Sequence, residues 1–170
     1  ELCEKLAEQG EPVPDIAIAG GHSTEDHIFK ALAIGAPHVK AVCMGRGLMI
    51  PGFVGDNIQN WLAEGPEALP KTVKEFGHKP DMIFETYEDL CDEFGRDEVE
   101  SMPMGGIAVY TFADKLKVGL QQLMAGGRNY NLSTISRDDV MALTRQAAEV
   151  SGLPYVTEAY REEAMEIITG

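Results

Sequence analysis

The chain has few of the residues that staple a fold, bind nucleic acid or span a membrane. In 170 residues there are three cysteines and one tryptophan, and Lys plus Arg, 14, are half as numerous as Asp plus Glu, 28. Cys3, Cys43 and Cys91 are odd in number and far apart. That argues against a disulfide framework or a zinc ribbon and reads as small buried hydrophobes in a reducing compartment, so the expected location is cytoplasmic. The formal net charge of -14 supplies no basic surface for nucleic-acid phosphates or an anionic membrane, so neither is an expected partner. No apolar run is long enough to cross a bilayer or act as a secretory signal. What remains, 44% hydrophobic and 25% charged residues, is the composition of a globular domain.

Residues 15–47, DIAIAGGHSTEDHIFKALAIGAPHVKAVCMGRG, carry the most information. Two short apolar runs, DIAIA and HVKAVCM, read as buried strands, closed by Gly20-Gly21 and by Gly45. Between them, Ser23 followed by Asp26 has capping-box spacing, Ile28, Ala31, Leu32 and Ile34 supply a helical apolar face, and Gly35 is the stop. This order is one βαβ unit. Its right-handed crossover brings both glycine-bearing turns to the same carboxyl edge of the sheet. Glycine lets backbone approach an anion, the helix start offers unpaired N–H groups, and Arg46 adds a charged fork of donors. The candidate phosphate-binding residues are therefore Gly20, Gly21, Gly45 and Arg46. The plainer reading is a tight turn beside a surface arginine.

The run IAGGHSTEDHIFKALAIGAPHVKAVCMGRG resembles the FMN phosphate segment of FMN-dependent barrel oxidoreductases. In that group a Gly-Gly follows strand seven, a "KALALGA"-like helix comes next, and a Gly-Arg follows strand eight. The later segments FETYEDLCDEFG and ADKLKVGLQQLMAGGRNYNLSTISRDDVMALTRQAAEVSGLPYV resemble the glutamate-synthase-like, FMN-binding members. This resemblance implies an α/β fold, the carboxyl-terminal part of a TIM (β/α)8 barrel, with residues 1–55 as its last βαβ portion and 56–170 as a helical extension packed on it. It implies FMN as cofactor, flavin redox chemistry on a small substrate such as a 2-oxo acid or amino acid, and catalytic residues outside these positions. A barrel of this kind takes about 250 residues. The chain therefore reads as a fragment whose partner is the rest of the barrel or another chain, and as a homo-oligomer. One departure matters: glutamate synthases carry a cysteine cluster for an iron-sulfur centre after this region, whereas here Cys43 stands alone. The resemblance thus extends to flavin chemistry and not to that cluster. Two other classes compete, a noncatalytic or isomerase-type phosphate-ligand barrel and a helical assembly module.

Downstream, residues 47–55 read as a glycine-broken apolar loop, and a helix is expected from an Asp56 cap. Thr86 and Asp89 are spaced to cap another helix. Gly105-Gly106 reads as a turn before a short extended segment, and Phe112, Leu116, Leu120 and Leu123 recur at helical spacing. Ser136 with Asp139 predicts a helix running to Gly152, and Thr157 a final helix to Ile168. The histidines are too scattered for a metal site: His22 and His27 are five apart, His38 opens a strand and His78 lies in a turn.

Overall fold

The computed structural model describes residues 2–170. Among them the order is α1 (Leu2–Glu8), β1 (Ile16–Ala19), α2 (Glu25–Gly35), β2 (Val39–Cys43), α3 (Arg46–Glu64), α4 (Lys71–Lys74), α5 (Pro80–Ile83), α6 (Tyr87–Phe94), α7 (Arg96–Ser101), α8 (Met104–Gly126), α9 (Arg145–Ser151) and α10 (Arg161–Thr169). Three 3-10 turns complete the order, at Pro66–Ala68, Leu132–Thr134 and Arg137–Asp139.

The β1, α2, β2 order is the one the glycine punctuation predicts, and the two strands pair side by side in a small parallel sheet. The barrel expectation is corrected. Barrel strands have a neighbour on each side and are buried on both faces, whereas β1 and β2 pair only with each other among the described residues. Nor are the strands buried: Ile16 and Ile18 are half-buried and alternate with exposed Ala17 and Ala19. The fold is mainly helical with a two-stranded sheet, not an α/β barrel portion. The assignment to the glutamate-synthase-like barrels, which rested on strands seven and eight, falls with it.

The chain divides into two compact units. The first comprises Glu1–Ile18, Asp26–Cys43 and Gln121–Gly170; the second comprises Ala19–Glu25 and Met44–Leu120. The second has a continuous apolar core of Ile58, Phe84, Tyr87, Leu90, Val99, Ile107 and Ala108, with Trp61, Leu62 and Cys91 packed around it. Burial pushes the Tyr87 hydroxyl and the Cys91 thiol above their ordinary pKa values. In the first unit Phe29, Ala33, Met124, Ile135, Ala142 and Leu153 are buried. There the Arg137 guanidinium donates from Nη1 to the Ile34 carbonyl at 2.8 Å and from Nη2 to the Ser151 carbonyl at 2.6 Å. One cation thus satisfies carbonyls at the C-terminal ends of α2 and α9, where the helix dipole favours positive charge.

Several local expectations change. The apolar stretch expected to be a loop lies inside α3, which spans nineteen residues and contains Pro51. Gly105-Gly106 lies in the first turn of α8 and not in a turn before a strand. A Cβ at Gly55 would collide with the Met104 carbonyl and the Gly105 Cα, so the two helix backbones touch and glycine is what permits it. Gln59 of α3 accepts from the Met104 amide at 3.1 Å and so satisfies a donor at the start of α8.

Thr86 does precede α6, but its side chain makes no capping bond. Its hydroxyl lies 2.8 Å from that of Thr111, which donates to the Ile107 carbonyl at 2.9 Å. Thr111 has one proton and commits it to that carbonyl, so Thr86 is the donor in the pair. The Ser136–Asp139 capping box forms, yet it closes only a 3-10 turn. The helix starts at Arg145, where the Thr144 side chain accepts from the Ala147 amide, and Gly152 ends it in the left-handed region at φ 67°. The final helix begins at Arg161, after Tyr160 at φ 56°, and not at Thr157.

Candidate functional site

All four predicted residues fall in the second unit. Gly20 at φ 117° and Gly21 at φ 72° both occupy backbone conformations that L side chains rarely adopt, so the turn after β1 requires glycine at each position. A Cβ at either would meet nothing within 4 Å, so this backbone faces open space. Gly45 is equally open. It is the N-cap of α3 and, as glycine, has no side chain to cap the helix start.

The two loops adjoin through Gly47, a residue outside the predicted set. A Cβ at Gly47 would lie 3.1 Å from the His22 carbonyl oxygen and 3.6 Å from the Ser23 Cα, which places the first turn of α3 against the loop after β1. The signal for it is Gly-Arg-Gly: the glycine before the arginine keeps the helix start open, and the glycine after it admits the neighbouring backbone. The helix α2 begins at Glu25, so Thr24 and not Ser23 precedes its first residue. Within α2, Lys30 pairs with Asp26 at 2.6 Å, one turn apart.

The electrostatics of the α3 start are unusual. A helix N-terminus carries a partial positive charge and normally attracts Asp or Glu, often with a Ser, Thr, Asp or Asn cap. Here the first turn has no acidic residue, the cap is glycine, and the first residue is the exposed Arg46. The Leu48 and Met49 amides turn back to the Gly45 carbonyl at 3.1 and 3.3 Å, while the amides of Arg46 and Gly47 have no acceptor within the helix. In the adjoining loop the His22 Nδ1 is buried without a hydrogen-bond partner, a state that carries a desolvation cost of about 1–3 kcal/mol. Guanidinium, helix dipole and helix-start amides all favour an anion at this end of α3.

His27 and His38 belong to the first unit and His22 and His78 to the second. No group of three or more His, Cys, Asp or Glu side chains suited to a metal ion occurs among the described residues. Cys3, Cys43 and Cys91 are all free thiols. No helix among the described residues is long and apolar enough to cross a membrane. Comparison with family models, with curated proteins and with solved structures finds no match to this chain.

Proposed function

We propose that the loop pair Gly20-Gly21 and Gly45-Arg46 grips the phosphate of flavin mononucleotide, and that the chain is the phosphate-binding part of an FMN-dependent oxidoreductase acting on a small substrate. The observation that carries this reading is the start of α3, uncapped, without acidic residues and led by Arg46, next to a loop whose two glycines expose open backbone. A phosphate dianion there would accept from the Arg46 and Gly47 amides and from the guanidinium, relieving the repulsion between the Arg46 charge and the helix dipole. Bound FMN supplies hydride transfer; the residues of this chain hold and orient it.

The flavin part of the proposal rests on the sequence of residues 15–47, since each residue of this site addresses phosphate and none addresses a ring. A second reading follows from the same geometry: a pocket for other phosphate monoesters.

Titration with FMN, riboflavin and inorganic phosphate, followed by flavin fluorescence and by thermal shift, separates the two. The expected result is binding of FMN, none of riboflavin, and competition by inorganic phosphate. Arg46→Ala should weaken FMN by about tenfold or more through loss of charge-assisted bonds worth about 1.5–3 kcal/mol. Gly21→Val, which cannot adopt φ 72°, should do the same. FMN with no effect on a folded chain would sink the flavin reading, and other phosphate monoesters binding in its place would establish the second.

A further inference from the structure

The helix α3 leaves a large apolar surface uncovered. Met49, Ile50, Phe53 and Val54 are 54, 60, 60 and 45% exposed, on consecutive turns of one helix. Beside them runs a groove of about 510 Å³ between α3 and the start of α8, lined by Met49, Gly52, Phe53, Asp56, Pro103 and Val109, among others. Its floor is shallow because Gly55 and Gly105 bring the two backbones into contact. Single exposed hydrophobes are ordinary, but a contiguous cluster beside a groove marks an interaction surface.

The order of residues on this face says what covers it. Arg46, Met49, Phe53 and Asp56 are separated by three, four and three positions, so they lie along one stripe of α3. The spacing reads the same in both directions, the two ends carry opposite charge, and the middle is apolar. Such a stripe is complementary to itself when turned end for end. Two α3 helices crossing antiparallel about Pro51 would set Arg46 against the second copy's Asp56, Met49 against its Phe53, and the same pairs again by symmetry. That is the isologous contact of a two-fold dimer.

We infer that the chain pairs with a second copy of itself through α3, with Met49 and Phe53 of each copy seated in the α3/α8 groove of the other and an Arg46–Asp56 ion pair closing each end. Arg46 has five donors in a fork, so pairing to a carboxylate leaves donors directed elsewhere. The association stands whether or not the neighbouring loops bind phosphate.

Analytical ultracentrifugation across the micromolar range tests it. The wild-type chain is expected to pass from monomer to dimer as concentration rises. Phe53→Asp and, separately, Asp56→Arg should each raise the dissociation constant by about tenfold or more, because symmetry repeats the like-charge or desolvated contact twice. Circular dichroism checks that each variant is folded, and Met49→Lys provides a further substitution on the same stripe. The decisive variant exchanges the charges: Arg46→Asp together with Asp56→Arg should recover most of the association lost in Asp56→Arg alone. A chain that stays monomeric, a dimer indifferent to Phe53→Asp and Met49→Lys, or a charge exchange that fails to restore pairing would each overturn the proposal.

Discussion

Each of the two units buries apolar residues of its own, and they differ in what accompanies that burial. Residues 44–120 surround an apolar cluster in which Val99 is fully buried and Leu90 is 3% exposed, so packing carries the stability there. In Gln121–Gly170 the distinctive devices are polar: the Arg137 guanidinium across two helix ends, the Thr144 cap, the Ser136–Asp139 box and one isolated parallel bridge between Ala142 and Tyr155. Meanwhile the apolar Leu143 and Val150 are 78 and 83% exposed. Apolar burial tolerates no missing volume but is indifferent to direction, whereas a few directed bonds depend on individual donors. Damage should therefore differ in size and reach between the two.

The largest loss is expected in the second unit. Leu90→Ala should cost about 3 kcal/mol, from lost burial plus the cavity left behind, and chemical denaturation measures it. Equal and small losses for Leu90→Ala and for an exposed apolar residue would erase the distinction. In the first unit, Arg137→Met should cost about 2 kcal/mol, since two carbonyls lose a charged donor. Hydrogen exchange sharpens the contrast: Arg137→Met is expected to speed exchange in α9 and in the bridge at Ala142, leaving α6 and α7 protected.

Alkaline pH should discriminate next. Burial raises Tyr87 and Cys91 in the folded chain, so the folded state favours their neutral forms. The stability this provides is complete below their ordinary values, about 8.5 for cysteine and 10 for tyrosine, and is lost as pH rises through the raised ones. Both groups belong to the second unit. Melting temperature is expected to begin falling above about pH 8.5 and to fall further above about pH 10, the second fall being less steep in Tyr87→Phe; identical slopes there would remove burial of Tyr87 as its cause. The smallest effect belongs to α10, which has no buried residue: Ile167→Ser should change stability by no more than about 0.5 kcal/mol.

What is legible in the residues, and what is not, follows from the range of the interactions. The β1, α2, β2 succession and the stops at Gly20, Gly35 and Gly152 depend on local conformational preference, and residue identities within a few positions suffice. The course of α3 does not. Pro51 inside a helix removes a backbone donor, and Gly52 and Gly55 are weak helix formers, so local preference argues for a loop. The helix persists because Gly55 packs directly on the α8 backbone and Ile58 enters the core of the second unit. Glycine there serves contact between helices rather than a turn, and the partner lies some fifty positions away. Gly105 misleads a local reading for the same reason. The candidate site divides likewise: Gly20, Gly21, Gly45 and Arg46 stand out by type, while the role of Gly47 emerges only once the loop after β1 lies against α3.

Composition and spacing alone determined the acidic character, the absence of a spanning helix among the described residues and the glycine-closed βαβ succession, because each depends on charge count or on preferences a few residues long. The number of strands, the extension of α3 and α8 through their glycines, and the contact of the two loops were settled by packing between distant segments. Close approach of backbones can outweigh helix propensities of about 1 kcal/mol for glycine and about 3 for proline, and no stretch read by itself records what will lie against it.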